Sequence, residues 1–344
     1  MKVAIFTDVG EITFADCEKP SPSANQVLIK VNACALCTWE QRVYTGKKKI
    51  EFPFIGGHEI SGVIEELGEK VNSNLWHTGQ TVAIGLLTAC NECEYCKSGY
   101  AENCPNLSQN IQRDGLPCHG IGGLSEYIVA DTINLFPYSN VSPEEAALIE
   151  PLSCVVRSIT TADIQLADTV VVIGCGIMGL LHIALARARG AYVIASDPNR
   201  KRLMDACRMG ANYAVDPAED NLPTKVQSIT DGKGAQIVFN TTPIGPLAKT
   251  AIECLGRGGT AVLYSSFYPD QPMEISPDLI HKNALRIMGT ANSGARDFVV
   301  ASKLISSGIV DVKPLISTVL PFAQLDEALR LAASGQMYRV VVKM

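Results

Sequence analysis

The sequence has no internal repeat, no low-complexity run and no polar linker. These absences exclude fibrous and largely disordered chains, for which such segments are typical. Hydrophobic residues make up 47% of the chain and charged residues 19%, as in ordinary globular enzymes. A length of 344 residues is too long for one ordinary core and short for three, so we expect two domains.

Positive charge is also scarce, with 29 Lys and Arg against 35 Asp and Glu and a net charge of −6. Binding of nucleic-acid phosphates needs clustered Lys and Arg side chains. The one short basic run, Lys47 to Lys49, is interpreted as a solvated loop. We therefore expect no nucleic-acid partner.

Segments for export or membrane insertion are lacking as well. The opening residues, MKVAIF, have neither the apolar core nor the cleavage site of a secretory signal, which predicts a cytoplasmic protein. The stretch 170–186 is nearly long and apolar enough for a membrane span, but its glycines favour a strand, a turn and a helix. No membrane partner is expected. The twelve cysteines are then expected to be thiols, some of them metal-bound, because the cytosol is reducing.

The hydrophobic pattern changes near residue 154. Before it, short β-rich runs at 26–31, 61–68, 80–84 and 126–130 are broken by Gly and Pro, which predicts an all-β domain. From residue 169 onward, apolar strands alternate with helical stretches, as in a doubly wound parallel α/β sheet. After residue 294 two helices and a closing strand predict a return to the first domain. The expected domains are 1–154 with 295–344, and 155–294.

Four cysteines form a compact motif, Cys90, Cys93, Cys96 and Cys104. Two-residue gaps let thiolates converge on one tetrahedral ion, and four sulfurs leave no position open for substrate. The intervening residues are largely polar, as on an exposed loop, which argues against buried free thiols. We expect a structural zinc, with an iron–sulfur cluster as the chemical alternative.

A second set of metal-binding residues comes from three separate stretches. Cys37 supplies a sulfur, His58 an imidazole, and Glu59 and Glu150 carboxylates. Three protein ligands with one open position are typical of catalytic zinc, although each residue alone is a weak signal. Pro151 favours an extended, loop-like conformation for Glu150.

The run 57–71, GHEISGVIEELGEKV, resembles the zinc alcohol dehydrogenase signature of the medium-chain dehydrogenase/reductase superfamily. The four-cysteine segment, the GLSEY run at 123–127 and a glycine motif follow in the family's order. The resemblance implies a GroES-like, β-rich catalytic domain. It also implies that Cys37, His58 and Glu150 bind the catalytic zinc, with Glu59 as an adjacent carboxylate that can exchange. Glu150 resembles the sorbitol and threonine dehydrogenase branch, whereas ethanol-type enzymes carry Cys there, which leaves Cys154 as an alternative ligand.

The sequence departs from the family after Cys37. The family usually reads Cys-Gly-Ser/Thr-Asp-x-His, whereas this chain reads CTWEQR over residues 37–42. Trp39 stands where a hydroxyl normally passes the substrate proton towards solvent, and Arg42 replaces a His. Thr38, Glu59 or a water chain is expected to take over the proton, or Trp39 simply packs under the site.

The second domain carries a dinucleotide-binding motif. Gly174, Gly176 and Gly179 form Gly-x-Gly-x-x-Gly between an apolar strand and a helix, where glycines allow a tight turn and close approach of a pyrophosphate. Asp197, after the next strand, is placed to bind the ribose hydroxyls and repel a 2′-phosphate. Arg202 accompanies such an Asp in sorbitol dehydrogenase-like enzymes. NAD is therefore expected rather than NADP.

Together these features predict zinc-assisted hydride transfer between a secondary alcohol and NAD. The branch resemblance favours a polyol or sugar-like substrate, with an amino alcohol such as threonine second. Rival interpretations are a metal-free quinone or enone reductase and a non-catalytic NAD/zinc redox sensor. By resemblance, a homo-oligomer, dimer or tetramer, is expected.

Overall fold

The computed structural model describes residues 1–86, 89–107, 111–267, 270 and 272–344. The chain forms two compact units. Unit 1 comprises Met1–Ser153 and Ser293–Met344, and unit 2 comprises Cys154–Asn292.

The strands of the described residues are numbered in chain order. They are β1 Lys2–Asp8, β2 Glu11–Asp16, β3 Gln26–Ala35, β4 Glu59–Leu67, β5 Thr81–Gly85, β6 Tyr127–Asp131, β7 Leu135–Pro137, β8 Thr169–Ile173, β9 Tyr192–Ser196, β10 Tyr213–Val215, β11 Ala235–Asn240, β12 Leu255–Leu263, β13 Arg286–Gly289, β14 Ile316–Pro321 and β15 Arg339–Lys343.

The α-helices are numbered in the same way. They are α1 Thr38–Tyr44, α2 Glu94–Lys97, α3 Pro143–Ala146, α4 Ile149–Ala162, α5 Ile177–Ala188, α6 Arg200–Arg208, α7 Leu222–Ile229, α8 Gly245–Glu253, α9 Pro277–Asn283, α10 Ala295–Ser306 and α11 Leu325–Ala333.

Unit 1 is built on a seven-stranded sheet with the order β14-β15-β3-β4-β5-β7, and β6 also pairs with β3. Its core consists of apolar side chains that alternate along these strands, such as Val27, Ile29 and Val31 of β3. The β-rich prediction is confirmed. The C-terminal strand β15 pairs with β3 in this sheet.

Unit 2 contains a six-stranded, wholly parallel sheet with the order β10-β9-β8-β11-β12-β13. Counted from β8, this is the order 3-2-1-4-5-6 of dinucleotide-binding folds. The order reverses between β8 and β11, and ligands bind at such a point, outside the carboxyl ends of the strands. The predicted doubly wound α/β fold is confirmed.

Two sequence-based expectations concern individual elements. The stretch 170–186 folds as β8, a glycine turn and α5, and no helix of the described residues is long and apolar enough to cross a membrane. The extended conformation expected for Glu150 is wrong, because Glu150 is the second residue of α4. Pro151 is tolerated there, since the first-turn N–H groups of a helix have no intrahelical acceptor.

Candidate active site and metal centres

Strand pairing in unit 1 brings the candidate catalytic residues to one end of the sheet. Ala35 at the end of β3 is in register with Glu59 at the start of β4 and with Val341 of β15. Cys37 follows β3 by two residues, and His58 immediately precedes β4. The sheet register therefore juxtaposes segments that are far apart in sequence.

Cys37, His58 and Glu59 form a potential metal site. One ligand atom from each residue lies within 4.8 Å of the others, and His58 and Glu59 are buried. Glu59 Oε2 is buried with no hydrogen-bond partner among the described residues. A buried carboxylate oxygen needs a partner, and a metal ion satisfies it. The donor set, a sulfur, an imidazole and a carboxylate, fits zinc.

Glu40 orients the imidazole of His58. Glu40 is fully buried on α1, and its Oε1 lies 2.8 Å from His58 Nδ1 and accepts a hydrogen bond from the Gly57 N–H at 3.0 Å. With Nδ1 engaged in this way, Nε2 of His58 is the nitrogen left for a metal. Carboxylate–histidine pairs fix the tautomer and the ring orientation of metal ligands.

Arg339 pairs with Glu59. Its guanidinium Nη2 donates to Glu59 Oε1 at 2.5 Å, and Nη1 donates to the carbonyl oxygen of Leu36 at 3.3 Å. Arg339 is only 2% exposed and Glu59 is fully buried. A buried ion pair of this kind holds one carboxylate oxygen and leaves the other available.

Protons and metal compete for these residues. Burial raises the pKa of Glu59 to about 7, with Arg339 opposing the rise. Burial also raises the pKa of Cys37. Burial disfavours the charged form of His58, but Glu40 and Cys37 outweigh it and raise the His58 pKa well above its usual value. The residues hold protons that a bound cation would displace.

Glu150 lies near this group without belonging to it. Its charge contributes to the raised pKa of Glu59 and acts on Arg339, so the side chain lies in their vicinity. The three residues whose ligand atoms lie within 4.8 Å are Cys37, His58 and Glu59. Glu150 as a zinc ligand therefore stays a prediction, as does its alternative Cys154.

Trp39 packs beside the imidazole of His58. Its ring centroid lies 6.3 Å from that of His58 in an edge-on arrangement and 5.4 Å from that of Phe54. Thr38, the first residue of α1, is exposed. The structure thus places an indole, and no Ser or Thr hydroxyl, at position 39.

The four-cysteine segment is preorganised for one tetrahedral ion. Cys93 Sγ lies 3.4 Å from Cys96 Sγ and 3.8 Å from Cys104 Sγ, and Cys90 Sγ lies 3.9 Å and 3.5 Å from these two sulfurs, respectively. Four sulfurs bound to one zinc would be about 3.8 Å apart, given Zn–S bonds of about 2.3 Å. All twelve cysteines lie within the described residues, and none of them forms a disulfide.

Hydrogen bonds around Cys90 favour its thiolate, whereas burial raises the pKa of Cys96 to about 12. Asn106 Nδ2 and the Cys93 N–H each donate to Cys90 Sγ at 3.4 Å, and the Cys90 N–H donates to Cys104 Sγ at 3.4 Å. The Asn106 bond is the main cause that lowers the pKa of Cys90 to about 6. Since thiolate is the metal-binding form of cysteine, the segment fits a structural zinc.

The glycine turn of unit 2 leaves room for a ligand. Gly174 has φ +92°, a left-handed conformation, and a Cβ on Gly179 would lie 1.8 Å from the Gly174 carbonyl oxygen. A Cβ on Gly176 would meet nothing within 4 Å, and α5 begins at the next residue without a side-chain cap. The open space before uncapped N–H groups fits a pyrophosphate.

Asp197 lies beside this turn. It is 5% exposed, and its carboxylate accepts hydrogen bonds from the N–H groups of Cys175 and Asn199, both at 2.8 Å. Burial and Asp197 raise the pKa of the Cys175 thiol, and Arg202 opposes this rise, which places the guanidinium near the turn. The predicted cofactor residues are therefore neighbours.

Two site residues, Glu40 and Arg339, were not predicted from the sequence. Glu40 stands three residues after Cys37, where the family pattern carries Asp, and that position was a usable signal. Arg339 is 280 residues from Glu59, and no local pattern marks it.

Comparison with known proteins agrees with this geometry. Residues 23–140 match the model of the alcohol dehydrogenase GroES-like domain, and residues 178–307 that of zinc-binding dehydrogenase. Sorbitol dehydrogenase of Halalkalibacterium halodurans is 30% identical, over 99% of both chains. L-galactonate-5-dehydrogenase of Escherichia coli K12 is 28% identical, over 95% of this chain and 94% of its own.

A solved structure has the same fold. It is a zinc-binding dehydrogenase from Sinorhizobium meliloti bound to NADP, with a TM-score of 0.88 and 25% identity, covering 100% of this chain and 99% of its own. The matched domains and the relative at 30% identity show that this chain belongs to the zinc-dependent medium-chain alcohol dehydrogenase family, on its sorbitol and threonine dehydrogenase-like branch.

Proposed function

We propose that this protein oxidises a secondary hydroxyl of a polyol or sugar-derived alcohol and passes the hydride to NAD. The convergence of Cys37, His58 and Glu59 within 4.8 Å, with one Glu59 oxygen left unpaired, carries the proposal. A zinc ion held there supplies Lewis acidity towards the hydroxyl, and a nicotinamide supplies the hydride acceptor.

The side chains around the site prepare it for this reaction. Glu40 holds His58 in the tautomer that leaves Nε2 for the metal, and Arg339 fixes one oxygen of Glu59. The indole N–H of Trp39 is a donor only and accepts no proton from a substrate. The exposed hydroxyl of Thr38 is the side chain we assign to proton exchange with water.

The cofactor assignment rests on the glycine turn and on Asp197. A carboxylate beside the turn suits the two ribose hydroxyls of NAD and repels the 2′-phosphate of NADP. The nearby Arg202 is the residue that would favour NADP. Parallel titrations of the protein with NADH and NADPH, followed by fluorescence, test this choice, and tighter binding of NADPH would refute it.

The substrate class follows from the related proteins, one acting on sorbitol and one on L-galactonate. We expect NADH formation with a member of a panel of polyols, sugar acids and amino alcohols. Activity confined to amino alcohols would replace the polyol assignment, and NAD binding with no turnover of any alcohol would favour a redox sensor.

The third metal ligand is tested by zinc content and activity measurements on two variants. We propose Glu59 as the carboxylate nearest the ion, with Glu150 able to exchange with it. Glu59→Ala is expected to lose the catalytic zinc and Glu150→Ala to lose activity. Full activity of Glu150→Ala would exclude Glu150 as a ligand.

We also propose that the protein is a cytoplasmic homo-oligomer, a dimer or tetramer. The family resemblance suggests the oligomer, and twelve cysteines without a disulfide are typical of a reducing compartment. Light scattering at micromolar concentration tests the oligomer, and a monomer would refute it.

A further inference from the structure

Lys48 differs from its neighbours in the basic run. Its Nζ lies 5.6 Å from the centroid of the Trp39 ring, and its side chain is half-buried, whereas Lys47 and Lys49 are exposed. Its backbone N–H donates to the carbonyl oxygen of Arg42 at 2.9 Å, which ties this segment to the end of α1. The interpretation as a solvated loop holds for Lys47 and Lys49 but not for Lys48.

Trp39 connects Lys48 to the metal-binding residues. The same indole that lies under Lys48 is edge-on to the imidazole of His58, with ring centroids 6.3 Å apart. Arg42 follows Trp39 by three positions on α1, and side chains at that spacing are neighbours on a helix surface. Lys48 is thus placed beside the candidate active site of unit 1, and Arg42 follows on the same helix as Trp39.

Neither cation has an acidic partner within the part of the chain that the structure describes. The ion pairs found there include no carboxylate for Lys48 or Arg42. The two acids closest in sequence to the metal ligands are already engaged, Glu40 with His58 and Glu59 with Arg339. A half-buried cation that no carboxylate neutralises is available to an anionic ligand.

We propose that Lys48, flanked by Arg42, binds the negatively charged end of the substrate and thereby selects acidic sugar derivatives over neutral polyols. The proposal rests on the proposed function and narrows its substrate class. The reacting hydroxyl would face Cys37 and His58, while a carboxylate or phosphate several carbons away would meet Lys48 beside Trp39. An ammonium group binds such anions by charge-assisted hydrogen bonds.

The test uses the zinc-loaded enzyme with NAD and three related substrates, galactitol, L-galactonate and galactitol 1-phosphate. For other sugars, the same set of three is used: the neutral polyol, its sugar acid and its phosphate ester. We expect wild-type kcat/KM to be higher for an anionic member of a set than for its neutral polyol. In Lys48→Met, the ratio of these two kcat/KM values should fall at least about tenfold, mainly through KM of the anion. Lys48→Arg should keep most of the preference.

Lys47→Met is the matched control, because it removes a neighbouring exposed lysine that does not lie over Trp39. It should leave the ratio within about twofold of wild type. Comparing the carboxylate with the phosphate ester identifies which anion Lys48 takes. An unchanged ratio in Lys48→Met, or a wild-type preference for neutral polyols, overturns the inference while the proposed function stands. Absence of turnover with every alcohol, neutral or anionic, refutes the proposed function itself.

Discussion

Glu40 and Glu59 are both fully buried carboxylates, and each is stabilised by a different partner. Glu40 binds His58, which is 18 residues away, and Glu59 binds Arg339, which is 280 residues away. A charge is tolerated in the interior only when it is paired and hydrogen-bonded. Sequence motifs indicated Glu59 and His58 themselves, but pairings over such separations depend on sheet register, which the sequence does not display.

Replacement of Glu40 should weaken zinc binding at the catalytic site. Glu40→Gln keeps the size of the side chain but removes its negative charge. In wild type the Glu40 carboxylate contacts His58 Nδ1 and accepts a hydrogen bond from the Gly57 N–H. Loss of such a supporting carboxylate typically lowers metal affinity or activity by about 10–100-fold. Competition with a chromogenic zinc chelator measures the change.

Glu51→Gln is the control for Glu40→Gln. Glu51 is exposed, and its side chain is not part of the metal-site contacts described above. The zinc affinity of the Glu51→Gln variant should equal that of wild type. Wild-type zinc affinity in Glu40→Gln would show that His58 is oriented by packing against Trp39 instead.

His182 provides a pH-dependent contribution to the stability of unit 2. It is fully buried, its Nδ1 lies 2.7 Å from the Met178 carbonyl oxygen, and its ring contacts Phe239 and Tyr264. Burial lowers the pKa of His182 from 6.5 to about 4. Between these values the unfolded chain binds a proton that the folded chain does not, so stability falls as pH falls below 6.5.

At pH 5 this linkage should cost about 2 kcal/mol relative to pH 8. His182→Gln cannot titrate, so its free energy of unfolding should lack that part of the pH dependence, even though the variant is less stable throughout. Denaturant unfolding of both proteins at pH 5, 6, 7 and 8 measures the difference. Parallel pH curves for wild type and variant would contradict the assignment.

Individual strands and helices were predicted well where apolar residues recur at a regular spacing. The turn between β8 and α5 was expected from three glycines between an apolar strand and a helix, and the structure has it there. Glu150 and Pro151 are the exception, because the residue before a proline usually is extended, whereas the first turn of α4 accommodates Pro151 and keeps Glu150 helical.

The glycine turn gives a pair of substitutions with opposite expected effects. Gly179→Ala places a methyl group 1.8 Å from the Gly174 carbonyl oxygen, so the turn must distort, at a cost of about 1–3 kcal/mol in stability. Gly176→Ala meets no atom within 4 Å and should leave the unfolding midpoint nearly unchanged. Its methyl group instead enters the space proposed for the pyrophosphate.

Thermal unfolding and NADH titration of both variants separate these effects. We expect Gly179→Ala to lose stability, and Gly176→Ala to keep it while binding NADH at least about tenfold more weakly. If Gly176→Ala bound NADH as well as wild type, the cofactor would not approach α5 at this residue.

Over the whole chain, the sequence distinguished a β-rich part from a parallel α/β part, because period-2 runs and strand–helix alternation are properties of short windows. The order of the strands in each sheet could not be predicted from the sequence. That β6 pairs with β3 depends on contacts between residues about a hundred positions apart, and that β15 pairs with β3 depends on contacts between residues more than three hundred positions apart. The same long-range pairing places Arg339 beside Glu59.

The metal content of the whole protein gives the last prediction. Two separate donor groups predict about two zinc ions per chain. Cys93→Ser removes one of the four sulfurs of the structural site and should reduce the content to about one zinc. The remaining thiols cannot complete a tetrahedron, so the segment around α2 should open locally, and trypsin should cleave faster at the exposed Lys97.

Cys207→Ser is the control, because Cys207 is an exposed thiol outside both donor groups, and it should keep about two zincs and the wild-type cleavage rate. Zinc is colourless in proteins, whereas four thiolates holding an iron–sulfur cluster absorb visible light. Iron and a visible spectrum that disappears in Cys93→Ser would therefore replace the structural zinc with a cluster. Slow cleavage at Lys97 despite loss of one zinc would mean that packing of the segment, and not the ion, maintains its fold.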